Sequence, residues 1–273
     1  IEVRLFNPMA SRSGGLSKAA EFGTNFGRLN HRMHNKSWIA DNRIALVGGR
    51  NLGDEYFDAD DGINFVDLDL LMAGPVVTQV SSNFDRFWNS PSNYPIAQLA
   101  PEAATDAALV QLRGVLDQAA IDLRSSPYAQ ILRDDVNVQD LLDGDTRLYW
   151  SKQWKFVSDA PMKATLPMAD RSEVLKVLVP AMRGAGRELR LISPYFVPGE
   201  MGTELLVEGA KSSRNVLILT NSLAANDVAA VHGGYMEYRP ALLKGGVQLW
   251  ELKPTGNAPS KFSLGGSSGS SLH

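Results

Sequence analysis

The most constraining stretch of this chain is residues 171–252, where helix-like and strand-like segments alternate at short spacing. Apolar periodicity near that of a helix marks 171–184, 202–211 and 227–239, and short β-rich runs mark strands over 188–193, 215–220 and 246–252. Two strands joined through a helix pair in parallel, so this half folds as an α/β layer with helices packed on a largely parallel sheet. Pro240 is expected to end or kink the last helix.

The first half has another rhythm. Leu29 to Ala40 roughly alternates, Asp41-Asn42 supplies a turn and Arg43 to Val47 returns, which predicts a hairpin over 29–49. Phe65 to Met72 predicts a further strand with Asp67 and Asp69 on one face. Gly74-Pro75 ends it, and Val80, Phe84, Phe87 and Trp88 mark a short helix. Pro101 opens a longer helix over about 102–124, followed by a second over about 128–142 and a strand at Arg147–Trp150. The pattern lapses over 158–170, which reads as a linker. Two domains result, 1–157 with a helical insertion at about 101–143, and 171–273. A weak internal repeat matches Val3–Pro8 to Val247–Pro254, each followed by a polar Gly/Ser-bearing loop and a histidine, Met33-His34 or Leu272-His273. On that alignment both domains are incomplete, with roughly 75 residues expected in front and about 100 behind. An opening on Ile1 within a strand-like run, and a close on His273 after a Gly/Ser tract, fit a piece cut from a longer protein.

Composition narrows the chemistry. The chain is 44% hydrophobic and 21% charged, enough to bury a full core. Its formal charge of −3 argues against wrapping nucleic acid by net charge. With no cysteine, disulfides, thiolate zinc sites and cysteine nucleophiles are excluded. No apolar run approaches the roughly 18 residues of a spanning helix, so any membrane association of this stretch is peripheral.

The informative segment is His34-Asn35-Lys36-Ser37-Trp38-Ile39-Ala40-Asp41, an HxKxxxxD array followed by Gly48-Gly49-Arg50-Asn51. Chance alone yields about 0.01 occurrences of the bare array in a chain of this composition. On a strand, His34 and Lys36 share a face, with Arg32 before them. A neutral imidazole can attack a phosphodiester, and the ammonium beside it neutralises the phosphoryl oxygens as charge builds. Asn51 is placed to donate to the same oxygens. The leaving alkoxide needs a proton, which calls for a second acid opposite.

HxKxxxxD with a trailing GGxN resembles the signature of the phospholipase D superfamily, whose members carry two such motifs on two similar α/β domains. Further segments resemble its bacterial cardiolipin synthase branch, nearest the C-type enzymes, along almost the whole chain. They are Arg32–Lys36, Gly48–Phe57, Asp67-Leu68-Asp69, Gly74–Val77, Ser193–Pro198 and Leu219–Ser222. The resemblance implies two similar phospholipase D-like domains, each a mixed, mostly parallel sheet flanked by helices. It implies that His34 is one catalytic histidine, that Lys36 binds phosphate, and that Asn51 and Gly49 form part of the phosphate site. Asp41 belongs to the catalytic motif, though its place in the turn suits fixing the hairpin. His273 matches the first residue of the second motif, whose lysine and aspartate are absent here. That absence implies impaired activity for this stretch alone. Asp67 is a candidate to orient a catalytic imidazole, as the acid of a Ser-His-Asp triad does, with Asp69 as its rival.

The implied reaction is a ping-pong phosphatidyl transfer through a phosphatidyl-histidine, with neither metal nor cofactor. Phosphatidylglycerol is the expected acceptor; the donor is a second phosphatidylglycerol or phosphatidylethanolamine. The expected place is the surface of the bacterial inner membrane, with no nucleic acid partner and the oligomeric state open. Alternatives are a hydrolase on the same chassis, cleaving phospholipid or nucleic acid, and a non-catalytic lipid-binding protein. Elsewhere the plainer readings hold. His31 falls on the strand face opposite His34, and His232 sits on a helix with Tyr235 and Arg239, as a packed histidine or a cleft residue. Tyr195-Phe196 follow a strand end, Asp58, Asp60 and Asp61 read as a solvated loop, and Gly265–Ser271 is too irregular for a phosphate loop.

Overall fold

A computed structural model describes residues 1–8, 33–57, 59–60, 63–99, 105–126, 128–130, 133, 148–164, 172–226, 229–253 and 269–273. These form two compact units: Ile1–His34 with Thr78–Phe156 and Ala160–Arg171, and Asn35–Val77 with Val157–Asp159 and Ser172–His273.

In the first unit, β1 (Arg4–Phe6) pairs antiparallel with β6 (Asn93–Pro95), and Ile96–Leu99 adds a single helical turn, α2. The Arg4 guanidinium stacks 4.3 Å over Trp88 and donates to its carbonyl oxygen at 2.8 Å, while Phe6 packs on Phe87 at 5.5 Å. Both aromatics lie on α1 (Val76–Trp88), which begins in the second unit and continues here. The predicted long helix is α3 (Asp106–Ser125), whose Thr105 hydroxyl caps it by accepting from Ala108 N–H at 3.1 Å. Its predicted start at Pro101 lies outside the described residues. So does most of the predicted helix 128–142, of which 128–130 and 133 are helical. The strand predicted at Arg147–Trp150 does not form over 148–150: Leu148, Tyr149 and Trp150 are exposed, without the half-buried alternation a strand needs. The predicted linker contributes a single 3-10 turn, Pro161–Ala164, before residues outside the described set.

In the second unit the hairpin forms as β2 (Lys36–Ala40) and β3 (Ile44–Gly48). Asp41 and Asn42 adopt φ of 51° and 55°, and Arg43 N–H donates to the Ala40 carbonyl at 2.9 Å, a turn whose twist suits a two-residue hairpin. Residues 29–32 of the predicted hairpin, His31 and Arg32 among them, lie outside the described residues. The single strand expected over 65–72 is two: β4 (Ile63–Val66), and β5 (Leu70–Ala73), which pairs antiparallel with β3. Between them the chain changes sheets, and Leu68 N–H turns to the Asp67 carboxylate at 2.9 Å. A continuous apolar run conceals such a break because both pieces are strands.

The α/β layer is as the alternation predicts. Strands β7 (Glu188–Ile192), β8 (Asn215–Asn221) and β9 (Gln248–Leu252) are parallel and adjacent, with α4 (Glu173–Gly184) leading in and α5 (Gly199–Lys211) and α6 (Ala229–Lys244) as crossovers. Met182, Phe196, Leu206, Val216, Ile218, Tyr235, Leu242 and Val247 form the core. Of the two outcomes expected at Pro240, the helix does not end there: α6 runs on to Lys244. The proline forfeits one donor to the Met236 carbonyl, but the turn beyond it carries Leu242, which is fully buried. The two segments matched as a repeat are both strands in different settings, β1 antiparallel with β6 and β9 parallel with β8. A last strand, β10 (Gly269–Leu272), pairs in parallel with β4.

Candidate functional site

The β10–β4 register sets Leu272 opposite Val66, and His273 N–H donates to the Val66 carbonyl at 3.2 Å. The next residue on each strand is therefore a neighbour of the other. His273 Nδ1 lies 3.1 Å from Asp67 Oδ2, with 9% and 5% of the two side chains exposed. A buried carboxylate at Nδ1 selects the ring form with its proton there and fixes the ring plane. The other nitrogen is also held: the Tyr56 hydroxyl lies 3.2 Å from Nε2, and the Asn51 amide donates to that hydroxyl at 2.7 Å. Because Asn51 donates into the phenolic oxygen, the tyrosine proton is available to Nε2. Tyr56 comes from the 3-10 turn Asp54–Tyr56, packs edge-on to the imidazole at 4.8 Å, and with Phe65 at 5.2 Å walls the ring.

The paired glycines explain how two carboxylates approach the hairpin. A side chain at Gly48 would collide with the Asp69 carboxylate, and one at Gly49 with that of Asp67, so both positions need a bare α-carbon. Asp69 pairs with Arg50, which also donates to the Tyr56 carbonyl. Of the two rival carboxylates, then, Asp67 faces the imidazole.

Asn221, at the end of β8 and 1% exposed, holds the histidine strand from its other side. Its Nδ2 donates to Ser271 Oγ at 3.1 Å and to the Leu272 carbonyl at 3.0 Å, and its Oδ1 accepts from Leu272 N–H at 2.9 Å. One side chain thus serves as a short stretch of strand partner, joining the parallel sheet to β10.

Lys36 opens β2 opposite Gly48. Burial pulls its pKa below the ordinary lysine value, and the negative charge of Asp67 opposes that shift. His34, exposed, precedes the strand and belongs to the first unit, so strand periodicity does not govern its direction. Asp41 sits in the hairpin turn at the other end of β2 from Lys36. Of the remaining candidates, His232 is buried on α6, edge-on to Tyr235 at 5.5 Å, with no hydrogen-bond partner for Nδ1 among the described residues. Tyr195 is partly exposed, whereas Phe196 joins the core and packs on Tyr235. Asp60 exchanges hydrogen bonds with Asn64; Asp58 and Asp61 lie outside the described residues.

Over 278 aligned residues the chain is 40% identical to cardiolipin synthase C of Escherichia coli (strain K12), spanning 100% of this chain and 57% of that protein. It is 26% identical to the cardiolipin synthase of Halalkalibacterium halodurans over 225 residues, spanning 82% of this chain and 35% of that one. The chain is similar to cardiolipin synthases along its whole length. An uncharacterized protein of Helicobacter pylori is 28% identical over 256 residues, 93% of this chain and 49% of its own. The chain spans about half the length, or less, of the curated relatives it matches. No protein-family model matches the chain.

Two residues of this chain escaped assignment from sequence, Tyr56 and Asn221. Both fall in segments that resemble the family, Gly48–Phe57 and Leu219–Ser222, but their partners are 217 and 50 or 51 residues away, beyond any spacing rule.

Proposed function

We propose that the protein carrying this sequence is a phosphatidyltransferase that joins two phospholipids into cardiolipin through a phosphatidyl-histidine. The observation that supports this best is the buried Asp67–His273 pair with Tyr56 on the second ring nitrogen. Such an imidazole can give up and take back a proton at Nε2 while the carboxylate stabilises its positive form. His34 is the nucleophile. Its ring nitrogen attacks phosphorus, the phosphorus–oxygen bond to the leaving alcohol breaks, and His273 protonates that oxygen. The hydroxyl of the incoming phospholipid then gives its proton to His273 and its oxygen attacks phosphorus, forming the new phosphorus–oxygen bond as the phosphorus–nitrogen bond breaks and releasing cardiolipin and His34.

Lys36, Asn51 and the Gly49 backbone bind the phosphoryl oxygens, and Asp41 fixes the hairpin that carries Lys36. A phosphate dianion or diester beside Lys36 favours the charged ammonium, against the burial that disfavours it. Phosphatidylglycerol is the acceptor, with phosphatidylglycerol or phosphatidylethanolamine as donor. The full enzyme has two phospholipase D-like domains, represented here by 1–157 and 171–273 on either side of a linker at 158–170. It works at the bacterial inner membrane surface; among the described residues no helix is long and apolar enough to cross a membrane.

The test is a product assay on the whole protein with labelled phosphatidylglycerol, with and without phosphatidylethanolamine, beside His34→Ala and His273→Ala variants. Labelled cardiolipin that vanishes in both variants supports transfer, and dependence on phosphatidylethanolamine names the donor. Phosphatidic acid as the sole product reassigns the protein as a hydrolase. No lipid turnover by the folded protein overturns the proposal.

A further inference from the structure

Residues 148–155 in the first unit form an irregular segment in which every residue is exposed. Trp150 is 89% exposed, Tyr149 71%, Leu148 54% and Trp154 47%. Leaving two tryptophans, a tyrosine and a leucine in water within seven residues costs hydrophobic free energy unless something covers them. The chain has five tryptophans, and two of them stand here.

The charges beside them identify what does. Between Asp145 and Asp159 there is no acidic residue, while Arg147, Lys152 and Lys155 are basic, in a chain whose overall charge is −3. The other large exposed apolar surface of this unit, α3, lacks that bias: Asp106, Asp117 and Asp122 outnumber Arg113 and Arg124. Aromatic rings with a polar edge, interleaved with lysines, match the headgroup layer of a bilayer, where the ring sinks to the acyl boundary and the ammonium stays among phosphates. The segment is also anchored behind. Gln79 Oε1 accepts from Phe156 N–H at 2.9 Å, tying its end to α1, and the Ser151 hydroxyl accepts from Gln153 N–H at 3.1 Å, turning the chain between the two tryptophans.

We infer that residues 148–155 dock the protein on an anionic phospholipid bilayer, with Trp150, Trp154 and Tyr149 entering the interface and Lys152 and Lys155 pairing with lipid phosphates. The inference rests on the lipid-acting function proposed above and adds the surface by which the enzyme reaches its substrate.

The test uses the whole protein with vesicles of phosphatidylcholine, or of phosphatidylcholine and phosphatidylglycerol, the latter also in bromine-labelled form. Tryptophan emission shifts to the blue and is quenched by the brominated lipid in the anionic vesicles. Trp150→Phe/Trp154→Phe abolishes that quenching while leaving the circular dichroism spectrum unchanged. Lys152→Gln/Lys155→Gln weakens partition into anionic vesicles on the order of thirtyfold, from about fivefold per lysine at a charged surface. Its turnover of detergent-dispersed substrate stays at the wild-type rate. Equal quenching in the phenylalanine variant, or shielding of both tryptophans from acrylamide before vesicles are added, overturns the inference, the latter because another part of the protein then covers the segment. Failure to make any product from detergent-dispersed lipid refutes the functional reading, whereas the quenching measurement reports docking separately.

Discussion

Asn221→Ala tests whether the histidine strand is held as described. The substitution removes three hydrogen bonds, to Ser271 Oγ, the Leu272 carbonyl and the Leu272 N–H. Each is worth about 1 kcal/mol net, and Leu272 N–H is left as a buried donor unpaired while its carbonyl keeps the Ser271 hydroxyl at 3.1 Å, so the loss sums to about 3–4 kcal/mol. That is a large part of the roughly 5–15 kcal/mol that holds a domain together. For a unit of this size it lowers Tm by about 6–15 °C, read by differential scanning fluorimetry of the whole protein. The β10–β4 ladder remains, so the variant folds with His273 on a looser strand, and kcat falls more than KM rises. Asn221→Asp keeps the acceptor for Leu272 N–H but loses both donors, and falls between the two. An alanine variant within about 2 °C of wild type, turning over lipid at the wild-type rate, would show that β10 is held by something else and refute the reasoning.

Asp67→Asn preserves shape but removes the charge at Nδ1, and turnover of lipid falls by about 10²–10⁴, measured in a single-turnover assay with folding checked by circular dichroism. Gly49→Ala drives a methyl into the Asp67 carboxylate and costs about 1–3 kcal/mol in urea denaturation, with activity falling alongside. Tyr235, buried and donating to Glu251 at 3.1 Å, has its pKa pushed up to about 12 from 10.0. The folded state therefore holds this proton more tightly than the unfolded state. The resulting stabilisation is full below pH 10 and disappears as pH rises through 12, and Tyr235→Phe flattens that alkaline limb in denaturant titrations.

What the sequence made legible was local. The parallel layer follows from helices and strands each encoded within their own residues, and the hairpin from Asp41-Asn42, which tolerate the left-handed backbone its turn requires. The resemblance was legible because HxKxxxxD and GGxN are dense and rare. The break at 67–69 was not, because it depends on which strand lies beside each half: β4 beside β10 and β5 beside β3. Nor was the continuation of α6 past Pro240, which burial of Leu242 decides against propensity. Asp67 and Asp69 could not be told apart by a two-residue period; their partners separate them, His273 against Asp67 and Arg50 against Asp69. Tyr56 is one aromatic among many until His273 lies beside it.

The Asp67–His273 contact spans 206 residues of chain. On a ribosome adding about 5–20 residues per second, the carboxylate emerges some 10–40 s before its histidine. Through that interval β4 presents a strand edge awaiting β10, the one partner it has among the described residues. The acid–base pair is thus absent until both segments have been made, and an intermediate stalled between them carries the carboxylate alone. Translational pausing or premature termination between the two residues leaves an exposed strand edge and no paired imidazole.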